Sequence, residues 1–168
     1  MNAGIGLENF VYELYKDLGY YDVERDYRIS KSNGLESARG QIDIRYKYLF
    51  INRYVECKYR TDKNVDFDDY SKFETTLKTF NIPTCLGELI TNTYFDEKVR
   101  LRARETHIKL IDRDGLEELN GKRNSGMYFA ILAYRFIELF EDKGLREALD
   151  YLHVRMLPIE RQIQLFGH

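Results

Sequence analysis

The sequence predicts an α/β protein built on one mixed sheet flanked by helices. Two observations carry this reading. Gln41–Lys47 and Tyr54–Arg60 are neighbouring stretches whose apolar residues recur at every second position, as in paired strands with one buried face. Farther on, Thr84–Thr91, Phe95–Glu105 and Ile108–Ile111 run strand, helix, strand, the order of a parallel crossover unit. The 168 residues are 43% hydrophobic, with 11 glycines and two prolines, which suits a chain with a real core and excludes collagen-like, linker-dominated and disordered proteins.

The elements follow in order. Leu7, Phe10, Val11, Leu14 and Leu18 are spaced as the buried stripe of a helix over about Gly6–Leu18, and Gly19 stops it. Tyr21–Ile29 mixes aromatic, β-branched and charged residues and reads as a partly exposed strand. In Gln41–Lys47, Ile42, Ile44 and Tyr46 alternate with Gln41, Asp43, Arg45 and Lys47. In Tyr54–Arg60, Val55, Cys57 and Tyr59 fall on one side, and Glu56, Lys58 and Arg60 on the other. The short connection implies an antiparallel pair. Phe67, Tyr70, Phe73, Leu77 and Phe80 mark a helix that Asn81-Ile82-Pro83 ends. Thr84–Thr91 reads as a buried strand, Phe95–Glu105 as an arginine-dense helix, Ile108–Ile111 as a short strand and Asp114–Leu119 as a helical turn. Asn120–Gly126 is all turn-forming or charged and divides the chain into 1–120 and a helical extension, 121–168. Met127–Phe140 is apolar around most of its circumference, so it must be buried on two sides, either within its own chain or in a homodimer. Gly144 separates a second helix, about Leu145–His153, and the tail after Pro158 carries no clear pattern.

Several function classes drop out. No apolar run approaches the roughly 18 residues of a membrane span, and Glu8, Glu13 and Asp17 spoil a signal peptide. Cys57 and Cys85 alone make neither a disulfide framework nor a four-ligand zinc site. These features lead to the expectation of a cytoplasmic protein without a membrane partner. The net charge of −2 does not advertise nucleic acid, although a local basic stripe can sit on a neutral protein. There is no phosphate-cradling glycine loop or serine elbow, and His107 and His153 have no partners for a zinc or triad site.

The chemistry gathers on the polar faces of the two paired strands. Asp43 projects from one, and Glu56 and Lys58, two apart, from the other. Two close carboxylates ionise poorly unless a cation sits between them. A hard divalent ion accepts one or two carboxylates, keeps its waters and takes a phosphate oxygen, while a lysine beside it steadies the charge of the attacked phosphate. An acidic residue two before a lysine also occurs at Asp96–Lys98 and Glu141–Lys143, but in helices, where residues two apart diverge. The same three residues also read as a solvated face with a cross-strand ion pair. Register separates the readings: a tight turn at Asn52-Arg53 puts Asp43 far from Glu56, whereas a connection near Tyr48–Ile51 brings them opposite.

The order helix, strand, Gly40-Gln41-Ile42-Asp43-Ile44, then Tyr54-Val55-Glu56-Cys57-Lys58-Tyr59-Arg60, resembles the restriction-endonuclease-like nucleases with the PD-(D/E)xK motif, and among them the Mrr-type restriction endonuclease catalytic domain. Gly87–Phe95 and Ile108–Leu116 are similar to the late strand-helix-strand of that family, and the resemblance covers about residues 5–120. It implies an αβββαβ core and a Mg²⁺-dependent endodeoxyribonuclease, with Mn²⁺ able to substitute. Asp43, Glu56 and the Cys57 carbonyl would hold the metal, Lys58 would sit by the attacking water, and Glu8 would map to the family's helical acidic residue. Two features depart from the family: Ile-Asp stands in place of Pro-Asp, and the glycine run before the Asp is thin, with only Gly34 and Gly40. No separate DNA-reading domain is expected, which weighs against sequence-specific restriction. Arg60, Asn92, Arg100 and Arg104 are candidate DNA contacts, the arginines also reading as a solvated face. Rival readings are a Holliday-junction-resolving nuclease and a non-catalytic nucleic-acid-binding module on the same fold.

Overall fold

Leu7, Phe10, Val11 and Leu14 lie on one stripe of α1 (Ala3–Asp17) and are fully buried, so the helix turns that face to the sheet. The computed structural model describes residues 3–33, 36–123 and 129–167. Its sheet has five strands in sequence order: β1 (Tyr21–Asn33), β2 (Glu36–Tyr48), β3 (Ile51–Lys58), β4 (Gly87–Thr91) and β5 (Lys109–Ile111). β1, β2 and β3 pair antiparallel, and β3, β4 and β5 pair parallel, which is the mixed α/β sheet the patterns predict. The β1–β2 ribbon is longer than its periodic part, because the pairing continues outward to Asn33 and Glu36.

The parallel half needs crossovers, and α2 (Phe67–Thr79) and α3 (Glu97–Thr106) supply them. Asp66 caps α2 by accepting from the Asp69 amide at 3.1 Å. Thr84–Leu86 forms a single tight helical turn, so the buried strand expected from Thr84 starts only at Gly87. Tyr70, Phe73 and Leu77 of α2, with Val99 and Ala103 of α3, bury one face of the sheet. α1 covers the other face, together with Leu116 of α4 (Arg113–Arg123) and Ile159 and Ile163 of α7 (Ile159–Phe166). The result is a three-layer sandwich.

α4 runs on as far as Arg123, so the boundary expected at Asn120–Gly126 begins inside a helix; positions 124–126, like Gly34 and Met127, lie outside the described residues. α5 (Phe129–Lys143) and α6 (Leu145–Arg155) form the remainder. The chain itself does not bury α5 on both sides: Tyr134, Ile137 and Phe140 stay exposed. A buried ionic knot ties these helices to α1. Asp17 accepts from the Tyr151 hydroxyl at 2.6 Å, pairs with Arg155, and lies 3.5 Å from Arg123. Among the described residues no helix is long and apolar enough to cross a membrane.

Candidate active site

Register decides whether the three predicted side chains meet. Tyr48 pairs with Ile51, so β2 and β3 are joined by Leu49 and Phe50, both with positive φ (49° and 68°). This is the earlier-turning of the two possible connections, the one near Tyr48–Ile51. The ladder then runs inward to Ile44 opposite Val55 and stops, and the next level in that count is Asp43 facing Glu56. There the Cys57 amide donates to Asp43 Oδ2 at 2.7 Å, so a carboxylate stands where a continued ladder would have offered a carbonyl. In a strand, N–H and C=O of one residue point to the same neighbour, so the Cys57 carbonyl also faces this gap.

The interruption corrects one expectation. Strict alternation puts Ile42, Ile44 and Tyr46 on one face. All three are buried, but Ile44 and Tyr46 pack on the α1 side and Ile42 on the α2 side. β2 turns over at Asp43. β3 keeps its alternation: Val55, Cys57 and Tyr59 join the α1-side cluster, and Glu56 and Lys58 form an ion pair at 2.6 Å with side chains only 18% and 24% exposed.

These charges perturb one another. Burial, then Glu56 and Glu8, raise Asp43 to about 7, against the opposing pull of the Cys57 amide and Lys58. Glu8 on α1 is also raised, first by burial and then by Asp26 and Glu56. Burial alone would lower the Lys58 ammonium, but Glu56, Asp43 and Asp69 outweigh it and push it up. The Cys57 thiol is raised well up by burial, then by Asp43, Glu8 and Glu56; Cys85, by contrast, is exposed. The site therefore holds more negative than positive charge.

That donor set suits a hard divalent cation: it offers carboxylate and carbonyl oxygens, the Cys57 thiol being packed into the α1-side core. Among the described residues no three His, Cys, Asp or Glu side chains form a ready cage. Mg²⁺ does not require one, because it is held by one or two carboxylates and keeps its waters.

The candidate DNA contacts have varied surroundings. Asn92 clamps the backbone of Arg60, accepting from its amide at 2.8 Å and donating to its carbonyl at 2.7 Å, and so stitches the chain beyond β3 to the end of β4. The Arg60 guanidinium pairs with Asp69. Arg100 pairs with Asp112 at 2.9 Å. Arg104 is exposed, one α3 turn beyond Arg100, and the two share with His107 a shallow depression of about 390 Å³. Sequence reasoning missed Asp26 and Asp69, whose charges reach Glu8 and Lys58. The one available signal at Asp26 was a strand-poor residue type inside a strand.

Fold and site together define a restriction-endonuclease-like α/β domain. The chain belongs to the Mrr_cat restriction endonuclease family, which matches residues 2–120. AF1548, a protein of unknown function, superposes on 96% of this chain and 94% of its own at 13% identity and a TM-score of 0.61, a likeness that extends into the helices after residue 120. VC1899 from Vibrio cholerae covers 67% of this chain and 30% of its own (17% identity, TM-score 0.49). The DNA modification-dependent restriction endonuclease AspBHI covers 77% and 34% (14% identity, TM-score 0.45). No curated protein matches this sequence.

Proposed function

We propose that this chain is a Mg²⁺-dependent endodeoxyribonuclease that hydrolyses DNA phosphodiester bonds, with 1–120 as its nuclease core. The supporting observation is the Asp43 carboxylate held on the Cys57 amide at 2.7 Å, facing the Glu56–Lys58 pair, in a pocket short of positive charge. Asp43, Glu56 and the Cys57 carbonyl would hold the cation, and Glu8 would support a second position or the water shell. When bound, the cation supplies charge neutralisation at the phosphate and a more acidic water. Glu56 fixes the Lys58 ammonium, which orients the attacking water and donates to a phosphate oxygen as charge builds there. The water oxygen bonds phosphorus and gives up a proton to solvent, one bridging P–O bond breaks, and the leaving oxygen takes a proton from solvent. Arg104 and Arg100 offer a sequence-neutral grip on the backbone.

A metal-titrated cleavage assay on supercoiled, linear, nicked and branched DNA tests this. Lys58→Ala and Asp43→Ala are expected to lose about 10²–10⁴-fold in rate while still unfolding cooperatively. Asp43→Ala protein that cuts like the parent would place the site elsewhere.

A second reading, a junction-resolving nuclease, draws on the exposed apolar side of α5 and α6. Tyr134, Ile137, Leu145, Leu149 and Met156 are all more than half exposed, a surface suited to a homodimer with two cutting sites. Light scattering at micromolar concentration and a preference for branched over linear DNA would carry this reading; a monomer indifferent to branching would end it.

A further inference from the structure

We propose that Asp26 is a positioning residue for Asp43: its left-handed backbone interrupts the β1–β2 ladder at the level of Asp43 and lets that residue turn out of β2. The proposal rests on Asp43 belonging to the active site.

Asp26 lies inside β1 with φ 52°. Arg25 pairs with Ile44 and Tyr27 with Ile42, and between them the Asp26–Asp43 level is skipped. The count is the same on both sides of the gap, so no residue has been inserted. At Asp22 (φ 48°), by contrast, the register shifts, as at a β-bulge, far from any site residue. On the other flank of β2 the pairing with β3 ends at Ile44–Val55. β2 is thus released from both neighbours at one residue, and there its side chains change face, with Ile44 on the α1 side and Ile42 on the α2 side. The Asp43 carboxylate is then free to reach the Cys57 amide. Gln41 Nε2 donates to Asp26 Oδ1 at 2.8 Å, which rejoins the two strands beyond the gap.

The residue type fits the task. Asp and Asn tolerate the left-handed region better than other side chains, glycine enters it freely, and β-branched residues resist it most. What matters at position 26 is therefore backbone conformation rather than charge.

The test uses the full chain with Asp26→Asn, Asp26→Gly, Asp26→Val and the milder Asp26→Ala. One readout is hydrogen exchange of the Cys57 amide in metal-free protein, relative to that of Ile90 in the neighbouring strand. This ratio separates a local loss from global destabilisation. The other is kcat, with the Mg²⁺ concentration at half-maximal rate. Asn and Gly are expected to stay within about threefold of the parent in both. Val should speed Cys57 exchange at least about tenfold relative to Ile90 and lower kcat at least about tenfold, with Ala between. If Val does not fold, Ala against Gly decides the question. Unchanged Cys57 protection in the Val and Ala variants, or a Gly variant as impaired as Val, would overturn the proposal. If the parent cuts no DNA with any divalent metal, the nuclease reading fails, while the exchange ratios still decide the role of Asp26.

Discussion

Burial among like charges keeps a proton on Asp43 up to about pH 7, against an ordinary value of 3.8. An unfolded chain releases that proton near its ordinary value, so the raised group favours the folded state at low pH. That contribution is lost as the pH rises from about 4 to about 7. Metal-free Asp43→Asn protein is therefore expected to be more stable than the parent near pH 8, on the order of 2–4 kcal/mol, with the gain shrinking to nothing toward pH 4. Thermal unfolding in a chelating buffer measures this, and equal midpoints near pH 8 would mean that water screens the carboxylate. Excess Mg²⁺ should raise the parent's midpoint at that pH and leave the variant's nearly unmoved. Strand periodicity was enough to predict Glu56 and Lys58 on one face, since β3 keeps its alternation throughout. It could not foresee that Asp43 sits where β2 turns over, because a left-handed residue such as Asp26 leaves no trace in an apolar–polar pattern.

Among the elements, the β2–β3 hairpin bends at an unusual pair of residues. Positive φ at both central positions is the habit of Asn-Gly, yet Leu49 and Phe50 occupy them, with Phe50 97% exposed. The bend forms because the ladder beneath it fixes the register: Val55 and Ile44 are buried only when Tyr48 faces Ile51. Replacing Leu49-Phe50 by Asn-Gly is expected to stabilise the protein by about 1–2 kcal/mol, read as a higher urea midpoint with an unchanged slope. A lower midpoint would show that the exposed phenylalanine packs against something after all. Turn chemistry alone favoured Asn52-Arg53, and it lost to strand register. α7 escaped the sequence reading for another reason. Ile159, Ile163 and Phe166 do have helical spacing, but eight residues are too few for periodicity to speak, and only packing against α1 makes the stripe meaningful.

At the scale of the whole molecule, α1 is the hinge between two sets of contacts. One stripe packs on the sheet, and its last residue, Asp17, anchors the knot with Arg123, Arg155 and Tyr151. Asp17 is 2% exposed and Arg123 1%, so removing the carboxylate strands buried guanidinium charge. Asp17→Ala is expected to cost about 3–5 kcal/mol, measured by urea unfolding, whereas loss of a surface pair such as Lys122–Glu118 should cost under about 1 kcal/mol. Equal costs would show that the knot is wet. The mixed sheet and its crossovers were legible because each rests on local periodicity. The length of α4 was not, since Asn120 and Gly121, turn-forming by type, lie inside a helix whose partners lie far away in sequence. The unequal placement of the two thiols has a practical corollary. With Cys85 replaced by serine, an alkylating reagent has a single target, Cys57, sealed against α1 in the strand that carries Glu56 and Lys58. Its labelling rate becomes a clock for excursions in which the sheet parts from that helix, readable by mass spectrometry without any substrate.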